Sequence, residues 1–236
     1  MPSAEERREA LRSSYVEARA CARCPQLAGT RTQVVFGTGN ADADLMFVGE
    51  APGAEEDKQG LPFVGRSGQL LTELLTEIGL QREDVFITNT LLCRPPGNRD
   101  PAPSELSNCE SYLWEKLELI QPIVVCTLGN FATKLLRGEA TGITHLHGRA
   151  EVRTLGPRTV RLLPLFHPAA ALYQRSNVEV LRQDFAQIPA LLAEGPPPQP
   201  VVAAVEAEPE PEPPAPEAEP QPDPPAPAEP KQLGLF

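Results

Sequence analysis

Three residue types able to do chemistry follow short apolar runs. Gly49-Glu50-Ala51-Pro52-Gly53 comes after 45–48, Asn89 after 85–88, and His167-Pro168 after 162–166; a fourth run, 123–127, precedes Gly129-Asn130. A carboxylate can activate water, an amide can read a hydrogen-bonding edge, and an imidazole can stabilise a departing anion. Either Asn89 or His167 alone would pass for a turn residue. At equivalent places after parallel strands they predict one shared crevice, because ligands of such sheets bind outside the carboxyl ends of the strands.

The cysteines form a second group. Cys21-Ala22-Arg23-Cys24 is a C-x2-C pair, followed by Cys93 and Cys109. That spacing is compatible with zinc, a redox pair or an iron–sulfur cluster. It lacks the second C-x2-C of a zinc ribbon. Cys126 lies inside an apolar run and reads as a small buried hydrophobe.

The four runs (45–48, 85–88, 123–127 and 162–166) suit strands buried on both faces. Between them, apolar positions recur at helical spacing: Leu70, Leu71, Leu74, Leu75 and Ile78 before Gly79; Leu106, Cys109, Leu113, Leu117 and Ile120 before Pro122; and a short segment 130–137. A first helix over 3–20 has Ser3 and Glu6 in capping-box spacing, and a last one over 178–192 has Asn177 as its cap. Alternating strand and helix predicts a mostly parallel sheet with helices on both faces.

The chain has 236 residues, 41% hydrophobic, with a formal net charge of -11. That length suffices for one ordinary domain and not two. No run approaches the roughly 18 apolar residues of a membrane span, and the charged start is no secretory leader, so a cytoplasmic protein without membrane association is expected. Residues 195–230 hold 15 of the 28 prolines and eight acids with no Lys or Arg, which reads as a disordered, extended linker. With those eight acids and Lys231 set aside, 20 basic and 24 acidic side chains remain, so any DNA contact must come from a local patch.

The string Gly49-Glu50-Ala51-Pro52-Gly53-Ala54-Glu55-Glu56-Asp57, then Gly60-Leu61-Pro62-Phe63-Val64-Gly65, Asn89, Cys93-Arg94-Pro95-Pro96-Gly97-Asn98-Arg99 and His167-Pro168 resembles the family 4 uracil-DNA glycosylases, in order and spacing, over about 21–192. The resemblance implies a three-layer α/β/α fold around a four-stranded, mostly parallel sheet. It implies a [4Fe-4S] cluster on Cys21, Cys24, Cys93 and Cys109, and hydrolysis of the N-glycosidic bond of uracil flipped out of DNA, initiating base excision repair. Phe63 matches the platform under the uracil, Asn89 the reader of its O4 and N3 edge, and His167 the donor to O2. Glu50 matches the residue that positions water, with Glu56 a second candidate from the same loop; Gly49 and Ala51 match the loop against the base. Gly65, Ser67 and Gly68 read either as a phosphate-binding helix start or as a plain helix start.

For the DNA, Arg66, Arg94, Arg99 and Arg175 are the backbone candidates, and Leu172 is chosen as the wedge that fills the emptied stack, over a residue packed on the sheet. The domains are then 1–194 for the enzyme, 195–231 for the linker and 232–236 for a terminal peptide. That peptide, Gln232-Leu233-Gly234-Leu235-Phe236, resembles the motif with which bacterial repair proteins bind the sliding clamp: Gln232 at the rim, Leu233 beside it, Leu235 and Phe236 in the pocket. A bacterial monomer, at the nucleoid during repair, is expected. Two rivals compete. A sister branch crosslinks to the abasic site, but carries Gln where Ala51 stands and an inserted basic loop; here 141–149 contains His145 and His147 without a dense Arg run. A nonenzymatic iron–sulfur DNA-binding protein would not need Glu50, Phe63, Asn89 and His167 together.

Overall fold

A computed structural model describes residues 3–174 and 176–200. They belong to the first of two units of the chain, Met1–Pro200; the second, Val201–Phe236, and Arg175 lie outside the described residues, and with them the terminal peptide and most of the expected linker. In order, the elements are α1 Ala4–Ala20, α2 Pro25–Thr30, β1 Thr38–Gly39, β2 Leu45–Gly49, α3 Ala54–Gln59, α4 Arg66–Glu77, β3 Phe86–Asn89 and α5 Pro103–Ile120. There follow β4 Val124–Leu128, α6 Asn130–Arg137, α7 Ile143–Leu146, β5 Glu151–Leu155, β6 Arg158–Leu165, α8 Pro168–Tyr173, α9 Ser176–Phe185 and α10 Ile188–Ala193. Among the described residues no helix is long and apolar enough to cross a membrane.

The sheet runs β1-β3-β2-β4-β6-β5. The four expected strands pair in parallel, and β1 and β5 add antiparallel edges, so the four-stranded expectation is corrected to a six-stranded mixed sheet. Neither edge carries a strand signal in the sequence, for a physical reason. β1 has two residues, and β5 carries Glu151 and Arg153 with Val152 exposed, so neither has the apolar run of a strand covered on both faces.

The inner strands bury alternate side chains on opposite faces. Leu45, Phe47, Val124, Cys126, Leu163 and Leu165 pack with α4, α8, α9 and α10; Met46, Val48, Val125 and Leu162 pack with α5 and α6. Phe47 stacks on Phe185 with ring centroids 5.6 Å apart, tying β2 to α9. A third apolar cluster joins α1, α2 and α5 through Ala18, Leu27, Phe36, Leu91, Leu92 and Tyr112.

Ser3 and Glu6 close the expected capping box at α1. The expected last helix is two helices instead, and Asn177 lies inside the first of them. Pro189 explains the break, since it lacks an N–H and its ring would clash with the carbonyl of Phe185. The folded unit also continues past residue 194, where the linker was expected to start: Pro197 is buried, and the Gln199 amide pairs with the backbone of Thr159 at 2.9 and 3.1 Å.

Candidate active site at the strand ends

Parallel registration sets Gly49 of β2 directly beside Asn89 of β3. The chain then continues the pairing for two more residues, with Thr90 N–H donating to Gly49 and Leu91 N–H to Glu50. The ends of β2, β3 and β6 open onto a cavity of about 190 Å³ lined by Ala51, Gly53, Glu56, Phe63, Ser67, Asn89, His167 and Ala169. A larger groove of about 330 Å³ lies between α1 and β1, lined by Arg8, Leu11, Arg12, Tyr15 and Phe36 among others. It gathers no carboxylate, amide or imidazole, and a cavity of about 380 Å³ lined by Asn40, Asp42, Asp44 and Asp84 has neither an imidazole nor an aromatic ring, so chemistry rather than size selects the strand ends.

His167 caps α8, its Nδ1 accepting from the N–H of Ala169 at 3.1 Å. That bond fixes the tautomer: the proton resides on Nε2, which is left free to donate. Burial drives the His167 pKa down to about 4, against a smaller opposing pull from Glu56, so the imidazole is neutral at physiological pH. Gly129, at φ +92°, brings β4 against it; a Cβ there would stand 3.2 Å from the His167 Cβ. Asn89 is buried and lines the same cavity.

Phe63 is held in the left-handed region at φ 53°, a conformation costing an aromatic residue on the order of 1–3 kcal/mol. The surroundings enforce it. Arg82 donates to the carbonyls of Pro62 and Phe63 at 3.0 and 3.1 Å, and Gly68 leaves room where a Cβ would lie 1.8 Å from the Phe63 oxygen. The Phe63 ring thus faces His167 at 5.6 Å between centroids. Arg82 was not legible as a site residue: nothing local shows that a guanidinium 19 positions on grips this turn.

The acidic loop separates into three roles. Glu55 is exposed and paired with Lys58; Asp57 is buried and accepts the N–H of Thr32 at 2.9 Å; Glu56 lines the cavity. Glu56 accepts from the N–H groups of Val64 and Gly65 at 3.0 and 3.1 Å, just ahead of the first turn of α4. Glu50 does not line the cavity wall. Its carboxyl is half-buried, and burial, with Asp100 acting the same way, raises its pKa.

Arg66 is exposed beside Ser67. Arg94 is half-buried and donates to Asn98 at 2.7 Å. Arg99 grips Glu105 through two bonds of 2.6 and 2.9 Å and also reaches Gln26, so its fork is already occupied by the protein. Arg175 lies outside the described residues. Leu172, the expected wedge, packs half-buried against the core, while its neighbour Tyr173 is 94% exposed.

Cys21, Cys24, Cys93 and Cys109 all border the third apolar cluster, and none is in a disulfide. N–H donors reach three of the sulfurs: Arg31 to Cys93 at 3.2 Å, Leu92 to Cys109 at 3.4 Å and Asn108 to Cys24 at 3.5 Å. Among the described residues no three Cys, His, Asp or Glu side chains form a group suited to one metal ion. Cys126 is apart, wholly buried in β4, where burial pushes its thiol pKa up. On the same helix as Cys109, Lys116 is 0% exposed, its Nζ without a hydrogen bond and 4.0 Å over the Phe36 ring. Burial lowers its pKa to about 7. A desolvated cation–π contact offers about 2 kcal/mol, less than the several kcal/mol that burying a charge costs.

The family model of the uracil DNA glycosylase superfamily matches residues 36–189. A type-4 uracil-DNA glycosylase of Archaeoglobus fulgidus is 44% identical over 194 residues, covering 80% of this chain and 96% of its own. One from Thermotoga maritima is 48% identical over 158 residues, covering 66% and 80%. A type-5 enzyme of Pyrobaculum aerophilum is more distant, 33% identical over 181 residues with coverages of 63% and 78%.

Proposed function

Since the chain belongs to the uracil-DNA glycosylase superfamily and groups with its type-4 enzymes, we propose that the cavity at the strand ends is where it cleaves uracil from DNA. The protein is a uracil-DNA glycosylase of DNA repair. The observation that carries the assignment of the site is the convergence of Phe63, Asn89 and a tautomer-fixed His167 on one small cavity.

Uracil flipped from the helix stacks on Phe63, and the Asn89 carboxamide offers its oxygen to N3–H and its NH2 to O4. Cytosine presents the reverse pattern and leaves both groups unpaired in a dry site. Water adds to the sugar carbon as the bond to the base breaks, and the electron pair leaves with the uracil. His167 Nε2–H meets the charge that collects on O2. Glu56, on the cavity wall, faces the sugar's developing positive charge and orients the water, with Glu50 behind the loop as the second carboxylate. A uracil-bearing oligonucleotide should yield free uracil and an alkali-labile abasic strand. A heat-stable protein–DNA adduct would assign the chain to the crosslinking branch instead, and a strand left intact would remove the assignment.

The four free thiols and the N–H donors aimed at them fit a group that engages four separated thiolates, and we assign them to a [4Fe-4S] cluster. Bound there, it would tie together α1, α2 and α5, whose apolar cluster the four cysteines border. Anaerobically purified protein should be brown, Cys93→Ser should lose colour and melting temperature together, and Cys126→Ser should keep the colour. Stoichiometric zinc after iron-replete expression would contradict the assignment.

Residues 232–236 are proposed to dock on the sliding clamp, supported by an apolar end on an acidic, proline-rich tract. Deleting them should leave excision on short oligonucleotides unchanged and abolish binding to purified clamp. Clamp binding that persists would rule the docking out.

A further inference from the structure

Among the described residues, Lys116 is a buried cation that neither the site nor its hydrogen bonding accounts for. It lies on α5, seven residues or about two turns after Cys109, and is wholly buried without a hydrogen bond to its ammonium. Phe36, whose ring it covers, belongs to the same apolar cluster as Cys93 and Cys109, with Cys21 and Cys24 packed against it. Burial works against the Lys116 ammonium, and negative charge on Cys109, or on Glu115, would work in its favour. The Glu115 carboxylate is itself engaged, accepting the Ser14 hydroxyl at 2.5 Å.

Other cations nearby are held differently. Arg31 is half-exposed and spends its fork on Cys93 and on the carbonyls of Arg19 and Cys21, and Arg23 lies over Tyr112. Solvent screens such groups, whereas a charge sealed in the apolar layer acts at low dielectric. Four thiolates around an iron–sulfur core carry net negative charge, which grows by one when the cluster takes up an electron.

We propose that Lys116 is the buried counter-charge of the cluster held by Cys21, Cys24, Cys93 and Cys109, and that it raises the cluster's reduction potential. The proposal rests on the cluster assignment above. Lys116 touches neither substrate nor the reacting atoms; it is a positioning charge, and its signature is electrochemical.

The test compares anaerobically purified wild type, Lys116→Met and Lys116→Arg for iron content and for reduction potential by spectroelectrochemical titration. Methionine keeps the length and apolar stem and removes the charge; arginine keeps the charge. At the potential where the wild-type cluster is half reduced, Lys116→Met should show a ratio of reduced to oxidised cluster about tenfold lower or more, with Lys116→Arg close to wild type. Loss of iron from Lys116→Met with retention in Lys116→Arg would equally support a charge requirement. A fully loaded Lys116→Met at the wild-type potential overturns the proposal, as does loss of iron from both variants, which would mark a purely steric role. Wild-type protein without iron overturns the cluster assignment itself, a separate failure seen before any variant is made.

Discussion

His167→Ala should excise uracil about 100- to 1000-fold more slowly in single-turnover kinetics, the usual loss for one donor to a developing anion, while binding to uracil-bearing DNA changes little. The donor matters only once charge reaches the uracil oxygen, so its removal falls on the chemical step. Its pH dependence follows from the same geometry. With the His167 pKa at about 4 and the proton fixed on Nε2, the rate should show no ionisation of this residue near pH 6.5. Stability should behave otherwise. An unfolded histidine titrates near 6.5, so the unfolded chain binds more protons between the two values. His167 therefore stabilises the fold least at acid pH, and the melting temperature should fall as pH drops from about 6.5 toward 4, less steeply in His167→Ala. An unchanged rate for His167→Ala would remove the residue from the mechanism.

Gly49→Ala should cripple excision nearly as much without unfolding the protein. A Cβ at Gly49 would lie 2.4 Å from the Asn89 side-chain oxygen and 2.7 Å from the Phe63 ring, so both recognition groups must move. Displacing them by even an ångström is enough for a loss on the order of 100-fold. The overpacking itself costs about 1–3 kcal/mol, which a domain of this size tolerates. Gly29→Ala is the control, because nothing lies within 4 Å of a Cβ there and Gly29 does not line the cavity. Excision by Gly49→Ala within a few-fold of wild type would show that Phe63 and Asn89 do not work as a rigid pair.

The parallel core was legible because strands covered on both faces leave continuous apolar runs, and the strand ends then pointed to Gly49, Asn89 and His167 with no contact information. Side-chain allocation was not. Glu55, Glu56 and Asp57 are three acids in a row, and only the turn of α3 sends one to solvent, one to the cavity and one to a backbone amide. Arg99 carries the charge of a phosphate ligand, yet Glu105 six residues on already occupies it. Arg82 and Lys116 act through partners distant in sequence, and neither sits in a motif that would mark it. At α8 the periodicity did not say which of Leu172 and Tyr173 faces out; packing against the core chose Tyr173.

The most direct test of the account is single-turnover excision from two strands identical except for uracil or cytosine at one position, by wild type and by Asn89→Ala. Wild type should release uracil as the free base and leave cytosine in place, while Asn89→Ala should lose much of the uracil rate and narrow the gap between the two bases. A uracil-to-cytosine ratio unchanged in Asn89→Ala would contradict the claim that the amide at the end of β3 reads the base.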